Sequence, residues 1–223
     1  GSPSRGLGDV YKRQDYAGSG MHTHMSLFEG DTNAFDDPND PMGLSKVARS
    51  FMAGILKHAS EISLVTNQWV NSYKRISGGF EAPISATWSS GNRCTMLRVP
   101  RYMPNKSSSR RVEVRTPDPG CNPYLAFAAI FAAGLKGVEE GYEIPPEAEE
   151  DVNLMHPKER KAMGYPDLPK SLASALACFE SSELMAEALG EHVFEFLIRS
   201  KHEEWTRYSR HVTPFELRHY LSL

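Results

Sequence analysis

Arg111-Val112-Glu113-Val114-Arg115 alternates charge with β-branched hydrocarbon over consecutive residues. Successive side chains of a strand point to opposite faces, so Val112 and Val114 meet a core while Arg111, Glu113 and Arg115 share the other face. Opposed charges in that order can ladder with a neighbouring strand. They can equally present a metal-binding carboxylate flanked by two guanidiniums that bind anions. Either way, the chain must hold a sheet with one apolar and one highly charged face.

Helical signals surround this strand. Leu44, Val47, Phe51, Ile55, Ala59 and Ile62 recur at helical spacing and predict a helix over 44–66, just after the turn cluster at 36–41. Asn122 followed by Pro123 is an N-cap with proline at the first helical position; it opens an alanine-rich helix that runs to Gly137 or Gly141. Residues 142–170, proline-rich and charged, predict a long loop with a single helical turn. From 171 to the end the pattern is helical, broken at Gly190. Thr213-Pro214-Phe215-Glu216 is a capping box for the last helix. Strands followed by helices predict an α+β architecture whose C-terminal third is helical.

The balance of 40% hydrophobic and 24% charged residues with net charge −3 gives no global attraction to nucleic acid or an anionic membrane. The apolar run 125–135 falls short of the ~18 residues that span a bilayer. Cys94, Cys121 and Cys178 are scattered and odd in number, as expected of reduced thiols in a cytoplasmic protein. Residues 1–14, with basic residues and almost no apolar periodicity, read as a tag or adaptor tail, with a native loop entering the domain as the alternative. The first methionine is Met21. The expectation is therefore a domain spanning 15–223 whose earlier part lies upstream.

Two further stretches carry chemistry. In GSGMHTHMSL (18–27), a strand over 22–27 places His22, His24 and Ser26 on one face. Imidazoles so placed can bind a divalent metal or a phosphate oxygen, although a solvent-wetted polar face has the same pattern. Residues 71–98 combine Arg75, Gly78, Gly79, Glu81, Arg93 and Arg98. A carboxylate on a glycine loop among arginines suits anionic substrates and one proton transfer, and surface salt bridges are the plainer alternative.

The order of these stretches is more specific than any one of them. GSGMHTHMSL, NSYKR with GGFEAP, SSGNR, RRVEVRTPDP and NPYLAFAAIFAAGL succeed one another from residue 18 onward. In this the sequence resembles bacterial type I glutamine synthetases, over the C-terminal portion of their catalytic domain. The resemblance implies a curved, mainly antiparallel sheet of the glutamine-synthetase/guanido-kinase-like kind. It also implies ATP-dependent ligation of ammonia to the γ-carboxylate of L-glutamate through γ-glutamyl phosphate, with Mg²⁺ or Mn²⁺, in a homo-oligomer that in the family is a dodecamer.

By the same resemblance, His22 and Glu113 match metal ligands whose companions lie upstream. Gly18, Arg75, Glu81 and Arg115 match glutamate-binding positions. His24, Ser26, Arg93, Arg98 and Lys106 match ATP contacts, and Arg93 is also placed to stabilise the transferring phosphoryl group. Glu81 matches the flap glutamate that closes the site and takes a proton from ammonium. With only part of the ligand set present, this chain alone is expected to be inactive.

The sequence also departs from the family pattern. Ala17 stands where the family usually has asparagine, and Ser77-Gly78-Gly79-Phe80 replaces the usual residues before the flap glutamate. Both bear on the amine, so a γ-glutamylamine or polyamine synthetase is the alternative reading. Asn153 occupies the neighbourhood of a tyrosine that some relatives adenylylate. His22-x-His24-x4-Glu29 also fits the first motif of a cupin-like metal-binding barrel, but the helical C-terminal third and the lack of a second histidine motif oppose it. A non-catalytic relative is opposed by the joint presence of His22, Arg75, Glu81, Arg93, Glu113 and Arg115.

Overall fold

The computed structural model describes residues 18–76, 82–100 and 106–221. A four-stranded sheet holds β1 (Thr23–Met25), β6 (Val112–Val114), β5 (Leu97–Arg98) and β4 (Trp88–Ser89) in that spatial order. The β1–β6 and β6–β5 pairs are antiparallel and the β5–β4 pair is parallel, so the sheet is mainly antiparallel, as expected. A separate hairpin joins β2 (Phe28–Glu29) to β3 (Thr32–Asn33).

The helix expected over 44–66 is two helices, α1 (Lys46–Lys57) and α2 (Ala59–Thr66). They meet at His58, whose φ of −95° and ψ of 13° interrupt the regular geometry without disturbing the apolar spacing. Ser45 caps α1, its side chain accepting from the Ala48 N–H at 3.1 Å. A short helix absent from the sequence reading, α3 (Val70–Arg75), follows. Six residues are too few for apolar periodicity to declare themselves.

Helix α4 (Pro123–Glu139) begins where expected, with Asn122 accepting from the Tyr124 and Leu125 N–H groups. It lies against α1 closely enough that a Cβ on Gly54 would overlap the Ala133 carbonyl, and one on Gly137 the Ser50 carbonyl. The 142–170 segment contains one short helix, α5 (Pro157–Ala162). The C-terminal third is helical as expected: α6 (Leu172–Glu180), α7 (Glu183–Leu189), α8 (Glu191–Ser209) and α9 (Pro214–Tyr220). The break at Gly190 is present, with φ 73°, and a further one at Ser181 and Ser182 separates α6 from α7.

The core lies between one sheet face and this helical layer. Val112, Val114, Leu97 and Trp88 supply the sheet side; Phe51, Ile55, Ile62, Ile130, Leu172 and Phe179 supply the helices. Hydrophobic burial therefore fixes which way the strands face, and alternation sends the charged residues to the other side.

Candidate active site

Strand register gathers the charges into rows. His24 lies opposite Glu113, Glu113 opposite Arg98, and Arg98 opposite Ser89, forming one line across four strands. Around β1 the alternation is visible as burial: His22, His24 and Ser26 are exposed while Thr23, Met25 and Leu27 are half-buried.

Glu113 is the hub, only 2% exposed. Its Oε1 lies 3.0 Å from His22 Nδ1 and accepts from Arg115 Nη1 at 3.0 Å. Its Oε2 lies 2.6 Å from Arg98 Nε, an ion contact off the line of a directed bond, so this buried oxygen has no hydrogen-bond partner. Burial pushes the Glu113 carboxyl pKa up, but Arg115 and then Arg98 outweigh it and hold the group below its ordinary range. Glu113 is therefore an anion at neutral pH, among guanidiniums that offset its desolvation.

Burial and then Arg115 lower the His22 pKa against the opposing pull of Glu113. The imidazole is thus neutral and keeps a lone pair for a cation. His24 is lowered as well, by burial and by Arg111 against Glu113. Its Nδ1 accepts from Arg111 Nε at 3.1 Å, which leaves the hydrogen on Nε2.

Arg75 ends α3 and is 6% exposed. One terminal nitrogen donates to the Thr116 carbonyl, while Nε is buried without a hydrogen-bond partner. Burial lowers the guanidinium pKa, and Asp118 opposes that shift. The glycines of the first motif lie along this side chain. A Cβ on Gly18 would stand 3.1 Å from Arg75 Cγ, and one on Gly20 would stand 3.1 Å from His22 Nε2 and 3.4 Å from Arg75 Nη1. Larger residues there would crowd the gap between imidazole and guanidinium.

The structure thus brings together Gly18, His22, His24, Arg75, Arg98, Glu113 and Arg115. Arg93 joins through its backbone, its carbonyl accepting from Arg115 Nε at 3.0 Å, and its side chain is exposed. Ser26 is exposed just beyond β1, and Lys106 is exposed ahead of a 3-10 turn at Ser107–Ser109. Neither makes a contact that ties it to the Glu113 cluster among the described residues. Glu81, Ala17 and the glycines at 78 and 79 lie outside the described residues. Sequence reasoning did not single out Asn67, Ser72 and Asp118, which hold the segment whose Thr116 carbonyl accepts from Arg75; the only signals were the serine inside NSYKR and the aspartate inside TPDP.

A charged row that buries one carboxylate among guanidiniums beside a neutral histidine, on an α+β sheet backed by helices, has the chemistry to bind anions. The comparisons make the class specific. A family model described as "Glutamine synthetase, catalytic domain" matches residues 12–220. Similar proteins include the glutamine synthetases of Mycolicibacterium smegmatis, 62% identical over 94% of this chain and 47% of that protein, and of Thermotoga maritima, 47% identical over 92% and 46%. A solved structure described as "GmaS/ADP complex-Conformation 1" superposes with TM-score 0.79 at 33% identity, covering 92% of this chain and 46% of that one. The chain belongs to the glutamine synthetase family, as part of its catalytic domain, and it spans about half the length of the curated relatives it matches.

Proposed function

We propose that this chain is the C-terminal part of a ligase that joins ammonia to the γ-carboxylate of L-glutamate at the expense of ATP. The observation that carries this reading is Arg75, a buried guanidinium whose Nε lacks a hydrogen-bond partner beside the glycine strip and His22. A buried donor left unsatisfied is costly, and a substrate carboxylate would satisfy it. Arg115, on the next strand residue but one from Glu113, supplies the second cation for glutamate. His24, Ser26, Arg93, Arg98 and Lys106 face the nucleotide. The solved relative described as an ADP complex supports a nucleotide subsite.

The donors present suit a divalent cation. Glu113 offers a buried carboxylate oxygen without a hydrogen bond, and His22 a neutral imidazole. Among the described residues no cluster of three His, Cys, Asp or Glu side chains could hold a metal by itself. His22 and Glu113 would therefore be two ligands of a larger shell. When bound, Mg²⁺ or Mn²⁺ supplies Lewis-acid neutralisation of the ATP phosphate oxygens.

The residues of this chain then do the rest. Arg75 and Arg115 orient glutamate so that a γ-carboxylate oxygen attacks the γ-phosphorus of ATP and ADP leaves. Arg93 and Arg98 offset the charge gathering on the phosphoryl oxygens. Glu81 takes a proton from ammonium, ammonia attacks the γ-glutamyl phosphate carbonyl, and inorganic phosphate leaves. The remaining metal ligands come from the part of the protein upstream of this chain, which spans about half the length of its relatives.

The test is glutamate-dependent ADP release by the full-length enzyme containing this chain, with ammonium against a panel of primary amines and diamines. Turnover with ammonium, lost in His22→Ala and Glu113→Ala, is expected. Turnover with a diamine and none with ammonium would replace this reading by a γ-glutamylamine synthetase, the outcome to which Ala17 and the residues at 77–80 point.

A further inference from the structure

Arg75 ends α3 and Arg115 directly follows β6, so the two come from different parts of the fold. The distance between them is governed by the segment 116–118. The Thr116 carbonyl accepts from Arg75 and also from Asn67 Nδ2 at 2.9 Å. Asn67 Oδ1 lies 2.9 Å from Thr66 Oγ1 and accepts from it, and the Thr116 carbonyl, which can only accept, keeps the NH2 of the amide turned toward it. Asp118, 1% exposed, receives the Ser72 hydroxyl on Oδ2 and the Gly120 N–H on Oδ1 at 2.8 Å. Its own N–H donates to the Thr66 carbonyl at 3.1 Å. Ser72 sits in the same short helix as Arg75, and its Oγ also accepts from the Trp69 N–H at 3.1 Å.

We propose that Asp118 is a positioning residue for substrate glutamate: through Ser72 it locks α3 to the exit of β6 and so sets where the Arg75 guanidinium stands. The inference rests on the ligase reading of Arg75. Both Asp118 oxygens are engaged within the fold, so the carboxylate is not a ligand for substrate. Its charge also supports the cationic form of Arg75 against burial. A six-residue helix has little stability of its own, so the register of its last residue depends on such tethers. With Thr116 holding one end of the guanidinium, the Ser72–Asp118 bond removes the remaining freedom to slide along the strand.

The experiment is steady-state kinetics of the full-length enzyme with glutamate and ATP varied separately. Asp118→Asn is expected to raise the KM for glutamate on the order of tenfold and to leave the KM for ATP within about twofold. Ser72→Ala keeps the Asp118 charge and is expected to shift the glutamate KM the same way by less; it decides the matter if Asp118→Asn fails to fold. In an Arg75→Lys background, Asp118→Asn should add little, because it acts through Arg75. An unchanged glutamate KM in both single variants, or a full multiplicative effect in the Arg75→Lys background, overturns the proposal. If Arg75→Lys alone leaves the glutamate KM unchanged, the reading of Arg75 fails and the inference with it. If Arg75→Lys raises that KM while Asp118→Asn and Ser72→Ala do not, only the inference falls.

Discussion

At Glu113 the side chain proposed as a metal ligand also bears on stability. Its carboxylate, 3% exposed, faces Arg98, Arg115 and His22, and removing the charge would leave the buried Arg115 guanidinium and the partly exposed Arg98 without their carboxylate partner. Glu113→Gln is expected to lower stability by about 3 kcal/mol in urea unfolding, since breaking a buried pair costs more than the pair itself contributes. Because the folded pKa lies below its ordinary value of 4.5, the stabilisation is present above that value and is lost as pH falls through the lower folded one. Stability of the wild type should therefore slope downward in that acid window, and Glu113→Gln should flatten part of the slope. The alternation of residues 111–115 made the shared face of Glu113 and Arg115 legible in the sequence. The ion contact with Arg98 was not, because it depends on β5 pairing with β6 in register. Nor was the Asp118–Ser72 tether, since a buried aspartate in a Pro-Asp-Pro turn looks like an ordinary loop residue.

Helix pairing shows where pattern reading reaches its limit. The apolar spacing over 44–66 located the buried face, and the Asn122-Pro123 start of α4 was legible because capping is a local interaction. The interruption at His58 was not legible, since α2 continues the same buried stripe. Close approach of α1 and α4 depends on a glycine from each. Gly137→Ala is expected to destabilise by about 2 kcal/mol or more in denaturant unfolding, because the added methyl meets the Ser50 backbone, which cannot yield as a side chain would. Gly91→Ala, with open space around its Cβ, should change stability by less than about 0.5 kcal/mol. Equal effects at the two positions would contradict the packing described.

Over the whole molecule, the helical layer leaves apolar groups on the outside. Tyr124, Phe127 and Phe131 on α4 are 84%, 44% and 41% exposed, and Phe215, Tyr220 and Leu221 at the C-terminal end are 55%, 59% and 76% exposed. Surfaces of this kind favour association. This chain on its own, at 24.9 kDa, is expected to elute from size exclusion ahead of a monomer, and to form no glutamine from ATP, Mg²⁺, glutamate and ammonium. A monodisperse monomer, or sustained glutamine formation above a His22→Ala control, would contradict that picture. The central claim is that the site activates the γ-carboxylate of glutamate as an acyl phosphate. It is tested most directly by giving the full-length enzyme glutamate labelled with ¹⁸O in the γ-carboxylate, together with ATP and ammonium. Attack of a carboxylate oxygen on phosphorus, followed by loss of phosphate from the carbonyl, must carry one labelled oxygen into inorganic phosphate for each amide formed. Labelled phosphate appearing in step with glutamine is the predicted result; amide formation with unlabelled phosphate would contradict the account.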